Sequence, residues 1–394
     1  MKKDILKYCF CALLSAIASL LAVGVFFIVG SEIVHADNSS KAQTLQLQTM
    51  LSADAGYRQK NYARLQHNGQ EPVYVDIEDN IFSAEQTSII IEALDYIFSM
   101  VGDINSNYRY QIVESVDEAQ FIGKSTITFN STSLEIANGC VKRSGSMFGF
   151  GSKGMFNQNC IVSYDNEYLC ADGGRFYYTT VHELLHIFGL DDIYDAKDIY
   201  YFDTYMNTYT NYNLKMITPN DYKLLVCFYA EDFNLLSENE RQDYIELLSK
   251  KVDDYSIKYY QYYIQHNKHL TKELQGESEL QSKQVALAEN NHKQNNFQID
   301  FDAFLIDGGE KIKVSVANEK YSIGLYDDNG TLIESCAGKV YNVGDEMFLQ
   351  GVHLSNLIKG KETYTDLHIY LSADYQGYNL YDLFNNYYAH NGRI

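Results

Sequence analysis

Hydrophobic residues recur through the first half of the chain with the periods of short strands and amphipathic helices. Apolar or alternating stretches predict strands at residues 73–77, 110–113, 127–129 and 160–164. A capping box at residues 83–86 opens a predicted helix that runs through Val101, and a second helix is predicted at residues 176–188. Thr218 followed by Pro219 marks the start of a third helix.

The pattern changes after about residue 236. A second capping box at residues 237–240 opens a long predicted helix with an apolar stripe, whose members are Ile245, Leu248, Val252, Tyr255, Tyr259 and Tyr262. This stripe needs a partner surface, either on the preceding domain or on another chain. Alternation at residues 312–316 and turn dipeptides at residues 307–308 and 329–330 predict the hairpins of a small β domain.

The first 36 residues have the pattern of a targeting segment. Lysines at positions 2, 3 and 7 precede an uncharged run over residues 8–30, and residues 34–36 supply small side chains at the spacing that a signal peptidase reads. The run is also long enough to span a bilayer. The segment is therefore predicted to be a cleaved signal peptide or a transmembrane anchor, and both place the remaining chain outside the cytoplasm.

These patterns divide the chain into five segments. They are a targeting segment at 1–36, a polar, loosely packed lead-in at 37–70, an α+β domain at 71–235, a helical connector and linker at 237–296, and a C-terminal β module at 297–394. The predicted fold class is therefore α+β. The C-terminal β module is expected to serve in binding, and its ligand could be a cell-surface polymer, a glycan, a protein or the α+β domain itself.

Charge and cysteine spacing exclude two classes of function. The formal net charge is −21, and no stripe of clustered Lys and Arg is present, so a nucleic-acid partner is excluded. No CxxC pair suggests a metal site built from cysteines. A functional site must therefore be built from another group of residues.

That group lies at residues 182–192, which read HELLHIFGLDD. On a helix, His182 and His186 project from one face, so both imidazoles can reach one Zn²⁺. Glu183 lies beside them and is placed to act as general base toward a zinc-activated water. Gly189 can adopt the left-handed conformation that ends a helix and redirects the chain.

A third zinc ligand is expected shortly after the helix. Between His186 and Ala230 the sequence contains no other His and no Glu, so only aspartates remain. Asp192 has the right offset from His186, while Asp191 and Asp195 are neighbours that could substitute for it or orient the histidines.

HELLHIFGLDD resembles the metzincin signature HExxHxxGxxH/D in its form with Asp at the third position. The resemblance covers residues 71–235. It implies a twisted mixed sheet with an antiparallel edge strand that binds extended substrate, which would be residues 160–164. It also implies a methionine turn beneath the metal, with Met206 as the match and Met216 as the alternative.

One feature of some metzincins is missing at its usual place. In those proteins a tyrosine two residues after the turn methionine stabilises the transition state, but that position here is Thr208. Three nearby tyrosines could take the role: Tyr205, Tyr209 and Tyr212.

The residues therefore predict a zinc metallopeptidase, an endopeptidase that cleaves peptide or protein substrates outside the cytoplasm. A surface adhesin with a degenerate metalloprotease scaffold is the alternative from another class, and intact His182, Glu183 and His186 count against it. A hydrolase of non-peptide amides would share the same zinc chemistry.

Overall fold

A computed structural model describes most of the chain. The described residues are 46–51, 64–65, 71–116, 121, 124–134, 138–144, 156–157, 159–192, 199–202, 204–206, 215–230, 236–266, 298–305, 311–327, 329–344, 346–358, 361–372, 377–382 and 388–391. The protein is α+β, with a mixed sheet and helices in the first half and an antiparallel sheet in the second.

The first half is built on a five-stranded mixed sheet. Short flanking strands β1 (Arg64–Leu65) and β6 (Phe156–Asn157) pair in parallel outside it. The sheet strands are β2 (Val73–Ile77), β3 (Tyr110–Val113), β4 (Thr126–Thr132), β5 (Gly139–Ser144) and β7 (Asn159–Asp165). Their order is β3-β2-β4-β7-β5, and all pairs are parallel except β7–β5.

The antiparallel edge strand is β5, which corrects the expectation placed on residues 160–164. That stretch forms the middle of β7, with β4 on one side and β5 on the other, so its backbone groups are already paired within the sheet. An edge able to take up an extended chain therefore belongs to residues 139–144 instead.

Four longer helices belong to the first half and the connector, in addition to the helical residues 46–50 and a 3-10 turn at Tyr168–Cys170. They are α1 (Ala84–Ile104), α2 (Gly173–Ile187), α3 (Pro219–Tyr229) and α4 (Glu238–His266). The predicted caps are confirmed, because Ser83 and Gln86 form a capping box on α1 and Thr218 caps α3 with Pro219 in its first turn. The start of α2 is capped by Asp172, whose side chain accepts from the Arg175 N–H.

The core of the first half lies between the sheet and these helices. Phe98 of α1 and Phe188 at the end of α2 meet edge to face, with ring centroids 5.2 Å apart. Leu47, Leu51 and Leu65 are also buried in this core. These three leucines lie in the predicted lead-in, and their side chains pack in the core of the domain that follows it.

Eight strands of the described C-terminal residues follow one another in an antiparallel order. They are β9 (Gln298–Leu305), β10 (Lys311–Ala317), β11 (Lys320–Tyr326), β12 (Leu332–Val343), β13 (Glu346–Ile358), β14 (Lys361–Ser372), β15 (Gly377–Asp382) and β16 (Tyr388–Asn391). The strand order is β13-β12-β11-β10-β9-β16-β15-β14. Because β14 also pairs with β13, the last strand of this order is hydrogen-bonded to the first. A separate apolar core fills this sheet.

Helix α4 carries the predicted apolar stripe, and its partners lie on both halves of the chain. Tyr255 stacks on Tyr222 of α3 with ring centroids 4.1 Å apart. Tyr260 stacks on Phe348 of the C-terminal sheet at 4.3 Å. The sequence predicted one partner surface for this helix, either on the preceding domain or on another chain. In the structure α4 packs against both α3 and the C-terminal sheet.

Two predictions fall outside the described residues. The N-terminal targeting segment is one of them, and the linker that follows α4 is the other. Among the helices that are described, none combines the length and the apolar character that a membrane span requires.

Candidate metal centre

Helix α2 presents the first two candidate ligands on one face. His182 and His186 are one helical turn apart, and their rings meet edge to face with centroids 4.9 Å apart. The opposite side of α2 is anchored in the core by residues such as Phe176, Val181 and Leu184. These buried side chains hold α2 against the core, and the two imidazoles project from its other side.

The turn after α2 brings in the third candidate ligand. Gly189 has a φ of 103°, in the region that favours glycine, so the chain leaves the helix axis at this residue. The Leu190 N–H donates to the Leu185 carbonyl, which closes the turn. Asp192 is thereby directed back toward the two histidines.

Three side chains converge at this point. Nε2 of His182 lies 3.0 Å from Oδ1 of Asp192, and Nε2 of His186 lies 3.3 Å from Oδ2. One ligand atom from each residue falls within 4.8 Å of the others, and this is the group of metal-ligating side chains that the described residues bring together. His182, His186 and Asp192 therefore form a group that could hold a metal ion.

The charges in this group reinforce one another. Burial raises the pKa of Asp192, but the polar contacts of its carboxylate with His182 and His186 outweigh that effect and hold the pKa of this carboxyl well below its usual range. Burial lowers the pKa of His182, yet the carboxylates of Asp192 and Glu183 outweigh that effect and raise it. The site thus favours a cation beside Asp192.

Both imidazoles are oriented by backbone carbonyls. Nδ1 of His182 lies 3.2 Å from the Tyr205 carbonyl oxygen, and Nδ1 of His186 lies 2.8 Å from the Leu190 carbonyl oxygen. A carbonyl only accepts, so each Nδ1 carries the proton and donates it. Nε2 of each ring faces Asp192 and is therefore the nitrogen that would bind a metal ion, as in metal sites whose histidines are held by an outer hydrogen bond.

The floor of the site is a short segment that contains Tyr205 and Met206, both fully buried. The Tyr205 ring stacks on Tyr178 of α2 at 4.4 Å, and its carbonyl also accepts from the Tyr178 hydroxyl at 2.7 Å. Met206 follows Tyr205 directly in the chain. The segment thus fixes the carbonyl that orients His182.

Asp221, the third residue of α3, holds this floor in place. Its carboxylate accepts from the Tyr205 N–H at 2.7 Å and from the Thr218 N–H at 3.2 Å, and the hydroxyl of Thr204 donates to its other oxygen. Asp221 is fully buried at a helix N-terminus, where the helix dipole stabilises negative charge.

We expect Asp221→Asn to destabilise the protein strongly. The NH₂ group of the amide must face either the Tyr205 and Thr218 N–H groups, which share one carboxylate oxygen, or the Thr204 hydroxyl, which donates to the other. A buried donor therefore loses its acceptor in either orientation. The expected loss in free energy of unfolding is about 3 kcal/mol, measured by denaturant unfolding. Asp243→Asn on the exposed face of α4 is the matched control and should leave stability unchanged.

Glu183 lies next to the ligands but is not one of the converging group. Its side chain is buried, with 5 % of its surface exposed. Edge strand β5 passes directly over it, because a Cβ at Gly139 would lie 3.1 Å from Oε1 of Glu183 and 3.1 Å from Cγ2 of Thr179. Glycine at position 139 therefore lets the strand approach this carboxylate.

The negative charge of Glu183 also affects the neighbouring thiol of Cys140. Burial and then the negative charge of Glu183 raise the pKa of Cys140, the residue after Gly139. The thiol therefore stays protonated at neutral pH and is not an activated nucleophile.

Other predicted site residues have these positions. Met216 is buried two residues before Thr218, the cap of α3. Asp191 lies in the same turn as Asp192 but outside the converging group. Three further residues of the sequence prediction lie outside the described residues, namely Asp195, Tyr209 and Tyr212.

Sequence reasoning missed Asp221, Gly139 and the carbonyls of Tyr205 and Leu190. A signal for Asp221 was present, since Thr218 and Asp221 have the spacing of a capping box. Carbonyl partners leave no trace in side-chain patterns.

No protein-family model matches this chain, and no curated protein matches it. Function must therefore be inferred from the geometry of the site itself.

Proposed function

We propose that this protein is a zinc-dependent endopeptidase that cleaves proteins outside the cytoplasm. The observation that carries the proposal is the convergence of His182, His186 and Asp192, with Glu183 beside the ligands and β5, the last strand of the described sheet, above it. A structural zinc site would have four protein ligands, whereas three protein ligands are typical of catalytic zinc.

The donor set fits zinc. Two imidazole nitrogens and one carboxylate oxygen are ligands that Zn²⁺ accepts in tetrahedral geometry. Oδ1 of Asp192 is buried and, despite its closeness to His182, has no hydrogen-bond partner of suitable geometry among the described residues. A buried carboxylate oxygen without such a partner is costly unless a cation satisfies it.

When bound, zinc supplies a water of lowered pKa and polarises a carbonyl oxygen. The residues of this chain supply the rest. Glu183 accepts the proton of the attacking water at its carboxylate and returns it to the leaving amine. Its buried position keeps competing solvent away from that carboxylate.

The substrate would bind as an extended chain along β5. An edge strand offers backbone N–H and C=O groups to a further strand. Because β5 crosses Glu183 at Gly139, a peptide paired with β5 would bring its carbonyl close to the general base. Binding through backbone groups favours an endopeptidase over a hydrolase of small amides.

Within this proposal the likeness to metzincins extends to Met206, which would support the site from below. The targeting pattern of residues 1–36 supports an extracellular location, either secreted or anchored at the cell surface. A cell-surface or glycan ligand of the C-terminal sheet stays a prediction from the sequence.

Removal of metal tests the proposal directly. The purified protein should contain about one zinc per chain and cleave an unstructured protein such as casein. Dialysis against a chelator should abolish cleavage, and added Zn²⁺ should restore it. A chain that binds a surface partner equally well with and without metal, and never cleaves, would instead be an adhesin.

A further inference from the structure

Between Asp192 and Tyr205, residues 199–202 join the C-terminal sheet. Residues 199–202 form a strand, β8 (Ile199–Phe202), that pairs in parallel with β14. The paired residues are Ile199 with Glu362, Tyr201 with Thr363 and Phe202 with Tyr364. Residues 199–202, which lie between the third candidate ligand and the floor of the site in sequence, therefore pair with a strand about 160 residues later in the chain.

β14 has an edge that fits this strand. β15 pairs with the second half of β14, from Leu367 to Ser372. β8 pairs with the first half, from Glu362 to Tyr364, on the side that β13 does not occupy. Among the described strands β8 is the one that covers this part of β14, so the pairing completes the sheet rather than displacing another strand.

The floor of the site is attached to the same sheet by a second route. Asp221 joins Tyr205 to α3, and α3 meets α4 through the stacked rings of Tyr222 and Tyr255. The Tyr255 hydroxyl also donates to the Ile217 carbonyl at 2.8 Å, directly before the cap of α3. The position of Tyr205, whose carbonyl orients His182, therefore depends on the position of α4.

Helix α4 is held on the C-terminal sheet by polar contacts. Asp253 accepts from Lys339 at 2.6 Å and from the Tyr341 hydroxyl at 2.8 Å. The Tyr260 hydroxyl donates to Asp366 at 2.6 Å, and the amide of Gln350 donates to Ser256 at 2.9 Å.

The last two of these contacts are buried. Asp366 also accepts from the Gly351 N–H at 2.8 Å, so its carboxylate ties β13 and β14 to the helix. Buried hydrogen bonds to a charged group are strong and directional, so they fix one arrangement of helix and sheet.

We propose that the C-terminal sheet is a positioning part of the metal centre: by pairing β14 with β8 and by holding α4, it fixes the segment between Asp192 and Tyr205. This inference rests on the proposed function, since it concerns the same site. Asp192 and the Tyr205 carbonyl lie at the two ends of that segment. Loss of the pairing should therefore misplace a ligand and the partner that orients His182.

The test compares two substitutions at one position of β8 in the full-length chain. Tyr201→Pro removes a backbone N–H and fixes φ, so it disrupts pairing with β14. Tyr201→Val loses the same ring but keeps the N–H and favours a strand. Zinc affinity is measured by competition with a chromophoric chelator, and the visible spectrum of the Co²⁺-substituted protein reports the ligand geometry.

We expect Tyr201→Pro to bind zinc about 10- to 100-fold more weakly than wild type and to change the Co²⁺ spectrum, as loss of supporting groups around a metal does. Tyr201→Val should match wild type in both measurements. Far-UV circular dichroism and the thermal transition establish that each variant is folded. If the proline variant does not fold, Tyr201→Gly replaces it, with a smaller loss of affinity expected.

The two proposals can fail separately. If wild type binds zinc and the proline or glycine variant keeps its affinity and Co²⁺ spectrum, the positioning inference is wrong and the proposed function is unaffected. Equal losses in the proline and valine variants would also overturn the inference, because the side chain and not the pairing would then matter. A wild-type chain without zinc affinity would overturn both.

Discussion

Replacement of Glu183 by Gln should abolish most peptide hydrolysis while zinc remains bound. The amide of Gln has the shape of the carboxylate but cannot take up a proton at neutral pH. Loss of a general base lowers kcat by about 10²- to 10⁴-fold. The ligands His182, His186 and Asp192 are untouched, so metal content should stay at the wild-type value.

Because Glu183 is buried, Gln is the substitution that removes the carboxylate without changing the packing around it. The side chain is 5 % exposed and lies under Gly139 of the edge strand, so a larger or smaller residue would disturb β5 as well. Gln preserves the volume, and substrate binding should therefore be retained. The experiment measures kcat and KM on a peptide substrate together with zinc content.

Glu167→Gln, outside the site at the end of β7, is the matched control and should have wild-type activity. If Glu183→Gln retained more than a tenth of wild-type kcat, another group would have to act as base. If it lost zinc as well as activity, Glu183 would be part of the metal's support rather than the base.

The helices were readable from the sequence because their signals are local. Ser83 with Gln86 and Thr218 with Pro219 mark helix starts through contacts a few residues apart. The strands β2 and β3 have the bounds that their apolar runs predicted. Such local signals can be recognised in the sequence without knowledge of the rest of the fold.

Strand β5 was not readable, and the reason is tertiary. Its sequence, GCVKRS, contains glycine, two basic residues and no alternation of apolar side chains. It becomes a strand because its backbone pairs with β7, from Gly139 with Tyr164 to Ser144 with Asn159. The substrate edge was therefore assigned to the more hydrophobic neighbour, which lies inside the sheet.

The candidate site shows the same division. His182, Glu183 and His186 follow from helical spacing, because the residues lie within one turn. The partners that orient the histidines are backbone carbonyls, and one of them, that of Tyr205, depends on Asp221 in a later helix. Non-local backbone contacts of this kind leave no pattern in the residues around the motif.

Asp192→Asn should remove most of the zinc affinity. The carboxylate lies within ion-pair distance of Nε2 of both histidines and supplies the negative charge of the candidate ligand set. An amide oxygen is neutral and a weaker ligand for Zn²⁺. The loss should exceed the roughly 10- to 100-fold cost of removing an outer partner of a metal ligand.

Asp191→Asn is the matched control because the residue lies in the same turn but outside the converging group. Zinc affinity is measured by competition with a chromophoric chelator, and cleavage is measured at saturating zinc. We expect Asp191→Asn to bind zinc as wild type does, since the converging group consists of His182, His186 and Asp192. If Asp191→Asn lost zinc and Asp192→Asn retained it, the third ligand would be Asp191, and the turn at Gly189 would have to close differently around the metal.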